Sequence, residues 1–92
     1  ANLNAVLKLP FQCIKMDRSM LNGIRQHKVA GEFYRNIVTI LRQQGYAIVA
    51  EGVEEQEEVE LLEAWGVDMI QGYYFSRPLP VEEFLKKIRE AG

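Results

Sequence analysis

Three short runs of extended, apolar character alternate with stretches of helical period, and that alternation limits the folds open to this chain. Phe11 to Asp17 reads as a short extended run. Tyr46 to Ala50 is a compact apolar run of the kind carried by a buried strand. Val67 to Phe75 is a third strand candidate. Between the first two lies Val29 to Gln44, an amphipathic helix with Phe33, Ile37, Ile40 and Leu41 as one stripe and Gly45 at the C′ position. Glu55 to Trp65 turns Val59, Leu62 and Trp65 inward and its acids outward, and Gly66 closes it. Residues 2–8 place Leu3, Val6 and Leu7 at helical spacing before Leu9-Pro10 stops the element. Pro80 suits the first turn of a final helix with Phe84, Leu85 and Ile88 on one face.

This order implies an α/β fold of about three parallel strands with crossover helices. Two architectures share the pattern: a partial (β/α)8 TIM-like barrel and a small open sheet. The 92 residues hold one small domain or a piece of a larger one. The lack of an initiator Met and a start inside a helical pattern make a piece the expectation. A formal charge of −2 gives no general pull toward DNA, RNA or anionic membrane. The single cysteine, Cys13, excludes an internal disulfide, fits a reducing compartment and reads as a small core residue. No apolar run approaches the ~18 residues of a membrane span, and no signal-peptide pattern is present. A cytoplasmic location is expected, with tethering through other domains left open.

Parallel α/β proteins place working residues at the C-terminal ends of strands. Alternation puts Cys13, Lys15 and Asp17 on one face of the first run, Val49 and Glu51 on one face of the second, and Met69, Gln71 and Tyr73 on one face of the third. Lys15, Glu51 and Gln71 can therefore line one pocket. An ammonium beside a carboxylate can stabilise a phosphate or hold an attacking water, and the carboxylate can bind a hard cation. The competing reading is a buried Lys–Glu or Lys–Asp ion pair in a barrel core. Gly52 and Gly72, directly after Glu51 and Gln71, read as turns from strand into loop. His27 reads as a solvated loop residue and Trp65 as packing.

Four segments then resemble the EAL family of cyclic di-GMP phosphodiesterases. Lys15-Met16-Asp17-Arg18-Ser19 is similar to its Lys-Ile-Asp strand end, with Met16 in the aliphatic position. Val49-Ala50-Glu51-Gly52-Val53-Glu54 matches its Val-Ala-Glu-Gly-Val-Glu motif. Asp68 to Pro80 resembles its Gln-Gly-Tyr segment, and Leu7-Lys8-Leu9-Pro10-Phe11 the run before the first strand. The segments occur in family order across nearly the whole chain. The resemblance implies a modified TIM barrel that hydrolyses cyclic di-GMP to linear pGpG with two divalent cations, Mg2+ or Mn2+. It implies Glu51 as a metal-site carboxylate and Lys15 at the hydrolytic water or phosphate. Asp17 would support that lysine, Glu54 would hold the nearby loop, and Gln71 would complete the wall.

The resemblance also implies absences. The Glu-Ala-Leu motif, the Asp pair and further Asn and Glu ligands do not occur in this sequence. Residues 1–92 thus read as the C-terminal part of a single EAL domain, with most metal ligands elsewhere and no turnover expected from the chain alone. The alternative is a degenerate EAL domain that binds nucleotide or a protein partner without hydrolysis. Glu55 stands where Thr is typical of the family, which costs a good N-cap. Three strands cut from a barrel leave open edges, so self-association is expected.

Overall fold

The computed structural model describes residues 12–72 and 78–91. The helical stretch at residues 2–8, Phe11 of the first run and residues 73–75 of the third run lie outside the described residues. Strands β1 (Cys13–Met16), β2 (Ala47–Val53) and β3 (Met69–Gly72) are joined by helices α1 (Lys28–Gln43) and α2 (Gln56–Ala64). A short strand β4 (Leu79–Pro80) and helix α3 (Val81–Ala91) follow. The sheet order is β1-β2-β3-β4. The β1–β2 and β2–β3 pairings are parallel, as the alternation implies. The β3–β4 pairing is antiparallel and was not legible in the sequence; it seats Leu79 opposite Ile70 and Pro80 opposite Met69. Two residues suffice, because Pro80 offers no N–H and cannot extend a ladder.

Helices supply the core on one face of this sheet. Ile48, Ala50 and Ile70 are completely buried there with Met16, and Val38, Val59, Leu62, Phe84 and Leu85 pack onto them. Burying the eight of these side chains larger than Ala50 gives roughly 12–24 kcal/mol before chain entropy is set against it, which makes this layer the main stabilising feature. α1 ends at Gly45, where the Gly45 and Tyr46 N–H groups donate to Arg42 and Leu41 carbonyls at 2.9 and 3.1 Å. Those bonds satisfy carbonyls that the helix end would leave open.

The face of α1 differs from the one its apolar stripe suggests. Tyr34 and Val38 are fully buried, with Gly31, whereas Phe33 is 61% and Ile40 57% exposed. Ile37 and Leu41 are partly buried beside the core. Gly31 sits where an added Cβ would lie 3.1 Å from the Ile24 carbonyl oxygen and 3.4 Å from the Trp65 ring. A bare backbone at Gly31 lets the helix approach the chain there, and that approach selects the Tyr34 side as the inner one.

At the N-terminal end of β3, Asp68 joins the sheet through its side chain. Its Oδ2 accepts from the Ile48 N–H at 2.8 Å, and Arg42 stands 3.5 Å from its Oδ1. This end of the sheet is the structural one; the opposite end carries the groups singled out from the sequence.

Candidate functional site

The sheet has a second face, turned away from the helices, and Lys15, Glu51 and Gln71 share it. The parallel register aligns Lys15 with Val49 and Glu51 with Gln71. Lys15 Nζ lies 3.9 Å from Glu51 Oε1, with the lysine side chain 58% and the glutamate 32% exposed. A pair this open is not the buried ion pair of a barrel core. Its net stabilisation is ~0–1 kcal/mol, because water screens both partners. Lys15 keeps N–H donors and Glu51 keeps oxygen lone pairs for a ligand. Cys13 lies on the same face and is exposed, which corrects its reading as a core residue. It lies two residues before Lys15 on β1, and the described helices cover only the other face.

A bulge places Glu51. Glu51 pairs with Gln71, and Val53 pairs with the next residue, Gly72, so β2 carries one more residue than β3 across this step. The extra residue is Gly52, at φ +74°. Strict alternation from Glu51 would put Val53 on the site face. The bulge returns Val53 to the helix-covered core, where it is fully buried. One strand end thereby carries a polar group on one face and an apolar anchor on the other.

Gly72 does not act as a turn. It lies in β3, where an added Cβ would sit 2.8 Å from Phe84 Cε2 and 2.8 Å from the Val53 carbonyl oxygen. Close packing of Phe84 on the strand, not backbone freedom, requires glycine at this position.

Asp17 leaves the strand and caps a 3-10 turn (Arg18–Leu21), with its Oδ2 accepting from the Ser19 N–H at 2.9 Å. Bonds from Ser19, side chain and then backbone, hold the Asp17 carboxyl below the usual carboxylate range. Asp17 thus supports the loop that follows Lys15. Glu54 is exposed and lies in a cleft with Arg18, Ser19, Asn22, Gly52 and Glu58. Glu58 Oε1 accepts from the Glu54 and Glu55 N–H groups, both at 3.3 Å. Glu55 is therefore a usable cap residue despite the absent hydroxyl, since the third residue of the helix closes the turn.

Two arginines escaped the sequence reading. Arg18 lies across Gly52, where an added Cβ would meet its Cβ at 2.7 Å. Arg25 Nη1 reaches Glu55 Oε2 at 2.8 Å and Glu57 Oε2 at 3.8 Å. They tie the segment after β1 to β2, through Arg18, and to the segment after β2, through Arg25. The signal available in the sequence was Val53, an apolar residue that strict alternation would put on the same face as the charged Glu51.

No group of three or more His, Cys, Asp or Glu side chains that could hold a metal ion occurs among the described residues. A hard dication takes six or more oxygens, so the described residues do not by themselves fit a metal centre. Glu51 can supply one carboxylate to such a centre. No helix among the described residues is long and apolar enough to cross a membrane.

Comparison with known proteins agrees with this geometry. The model of the EAL domain family matches residues 1–78. The chain is 38% identical over 84 residues to the cyclic di-GMP phosphodiesterase PdeL of Escherichia coli, covering 90% of this chain and 23% of PdeL. A crystal structure of an EAL domain protein from Listeria monocytogenes superposes with a TM-score of 0.67 at 38% identity, covering 98% of this chain and 36% of that one. A standalone EAL protein from Vibrio cholerae in its c-di-GMP-bound form gives 0.64 at 30% identity, covering 83% of this chain and 32% of that one. The chain thus spans about a quarter to a third of these relatives, and its fold is a portion of the barrel that EAL domains adopt. With motif order, strand-end geometry and these likenesses in agreement, the chain belongs to the EAL domain family.

Proposed function

We propose that residues 1–92 are the C-terminal part of an EAL domain that hydrolyses cyclic di-GMP to linear pGpG in bacterial second-messenger signalling. The observation that carries this reading is the 3.9 Å approach of Lys15 and Glu51, from two separate motifs, on the sheet face opposite the helix-packed core. Lys15 holds the scissile phosphate or the attacking water through its ammonium, which offsets developing negative charge. Glu51 orients that lysine and offers its remaining lone pairs to the site. Gln71, in register with Glu51, walls the site, and Asp17 and Glu54 hold the two flanking loops. Divalent cations, Mg2+ or Mn2+, when bound by ligands that lie mostly outside this chain, would polarise the phosphate oxygens. The domain acts in the cytoplasm on this nucleotide and not on DNA or RNA.

The test is hydrolysis of cyclic di-GMP by the full-length protein with Mn2+ present. Lys15→Ala and Glu51→Gln should each lower kcat by ~100-fold or more, with the fold kept by circular dichroism. Binding of cyclic di-GMP without turnover in the unmutated protein would assign it instead as a degenerate binding domain. Full activity of both variants would remove the pair from the reaction.

A further inference from the structure

We propose that Arg18 is a positioning residue, whose aliphatic stem clamps the Gly52 bulge and so fixes Glu51 against Lys15. The inference rests on the reading of that pair as the working site, and goes beyond it. Three observations meet here. The bulge at Gly52 alone lets Glu51 face the site while Val53 is buried on the opposite face. A bulge is a local loss of ladder bonding, so its geometry needs support from outside the strand. The Cβ, Cγ and Cδ of Arg18 cover the bare face of Gly52, close enough that any side chain there would displace the whole stem.

The element that carries Arg18 is itself held. Asp17 caps the turn through the Ser19 N–H, and Leu21 at its end is buried in the core. Arg18 follows Lys15 by three residues on this held segment. One short stretch therefore carries the lysine of the pair and the clamp on the strand that carries its glutamate. The stem, not the charge, makes the contact, because it is the methylene carbons that lie on Gly52.

The experiment uses the full-length protein with Arg18→Ala, Arg18→Met and Arg18→Lys, read two ways. Hydrogen exchange, followed by mass spectrometry on a peptide spanning residues 47–55, should quicken by about tenfold in Arg18→Ala and return to the parental rate in Arg18→Met and Arg18→Lys. A peptide from α1 should exchange alike in all. The kcat for cyclic di-GMP should fall ~10–100-fold in Arg18→Ala, the loss expected when a reacting group is misplaced by about 1 Å. Arg18→Met should stay within about threefold of the parent, with KM little changed throughout.

Rescue by Lys but not Met would overturn the clamp in favour of a charge role, and unchanged exchange in Arg18→Ala would overturn it outright. If the unmutated protein hydrolyses nothing, the assigned function fails, while the exchange readout still decides the clamp. Quickened exchange in Arg18→Ala with unaltered kcat would overturn the positioning role and leave only a structural contact.

Discussion

Removing one oxygen from the core should make this protein more stable. Tyr34 is completely buried in the inner face of α1, its ring 6.0 Å from that of Trp65, yet its hydroxyl has no hydrogen-bond partner among the described residues. A buried hydroxyl left unpaired costs about 1–3 kcal/mol in lost hydration. Tyr34→Phe keeps the ring, its burial and its contact with Trp65, so the apolar contribution cancels between the two proteins. The void left by one oxygen takes back a few tenths of a kcal/mol at roughly 24 cal/mol per Å3. The net expectation is a gain of about 1 kcal/mol, or some 4–8 °C in Tm for a domain of this size. Urea unfolding of both proteins at neutral pH gives the difference. A loss of about 1 kcal/mol would refute the reasoning, since it would mean that the hydroxyl is bonded.

The same substitution has an alkaline signature. Burial, and then the Glu58 charge, push the Tyr34 phenol above its ordinary value. In the unfolded chain a phenol ionises near pH ~10, while the folded protein keeps the proton, so the unfolded state binds fewer protons above that point. Stability therefore falls as pH rises past ~10 in the parent protein. Tyr34→Phe should shed that part of the alkaline slope, and an identical slope in both proteins would contradict the burial of the phenol.

Three further outcomes are expected. Gly72→Ala should lower stability by ~1–3 kcal/mol in thermal unfolding, because the new Cβ meets Phe84, only 1% exposed, and the Val53 carbonyl; an unchanged Tm would show that Phe84 can move aside. Asp17→Ala should flatten the acid limb of a stability-versus-pH curve. The depressed Asp17 carboxyl contributes stability above its unfolded value near ~3.9, and loses it as pH falls through the lower folded value. We propose that the isolated 92-residue chain self-associates through the side of β1 that pairs with no described strand and the exposed apolar side chains Val29, Phe33 and Ile40. Light scattering across a dilution series would report it, and a dispersed monomer at high concentration would count against it.

How much of the fold was legible depended on the scale of the signal. The strands, the crossover helices and the parallel order follow from periodicity, because period-2 and period-3.6 patterns alternate cleanly here. The inner face of α1 did not follow. Phe33, Ile37, Ile40 and Leu41 make one apolar band, and Tyr34, Val38 and Leu41 make an overlapping second one. Periodicity counts apolar positions but does not rank two adjacent bands. The decision falls to Gly31, whose bare backbone admits the Ile24 carbonyl and the Trp65 ring, contacts distant in sequence from the helix's own pattern. β4 was hidden for a related reason: two residues carry no period at all.

The grouping of the candidate site residues was legible for a different physical reason. Lys15, Glu51 and Gln71 each lie near the C-terminal end of a short strand, and alternation within a strand leaves only two faces on which to stand. Parallel pairing then brings like strand ends together, so residues far apart in sequence meet without any local signal linking them. What alternation cannot express is a break in its own phase. Val53 is buried on the face opposite Glu51, and that is possible only because Gly52 adds one residue to the strand and takes a backbone angle of +74°. The motif Glu51-Gly52-Val53 is therefore one device: an outward carboxylate, a hinge in phase, and an inward anchor that stops the carboxylate from drifting. Without the anchor, the open 3.9 Å pair with Lys15 has too little energy of its own to hold the strand end in place. The position of Lys15 and Glu51 is thus set more by the apolar core behind the strands than by their mutual attraction, and the proposed Arg18 clamp would add to it.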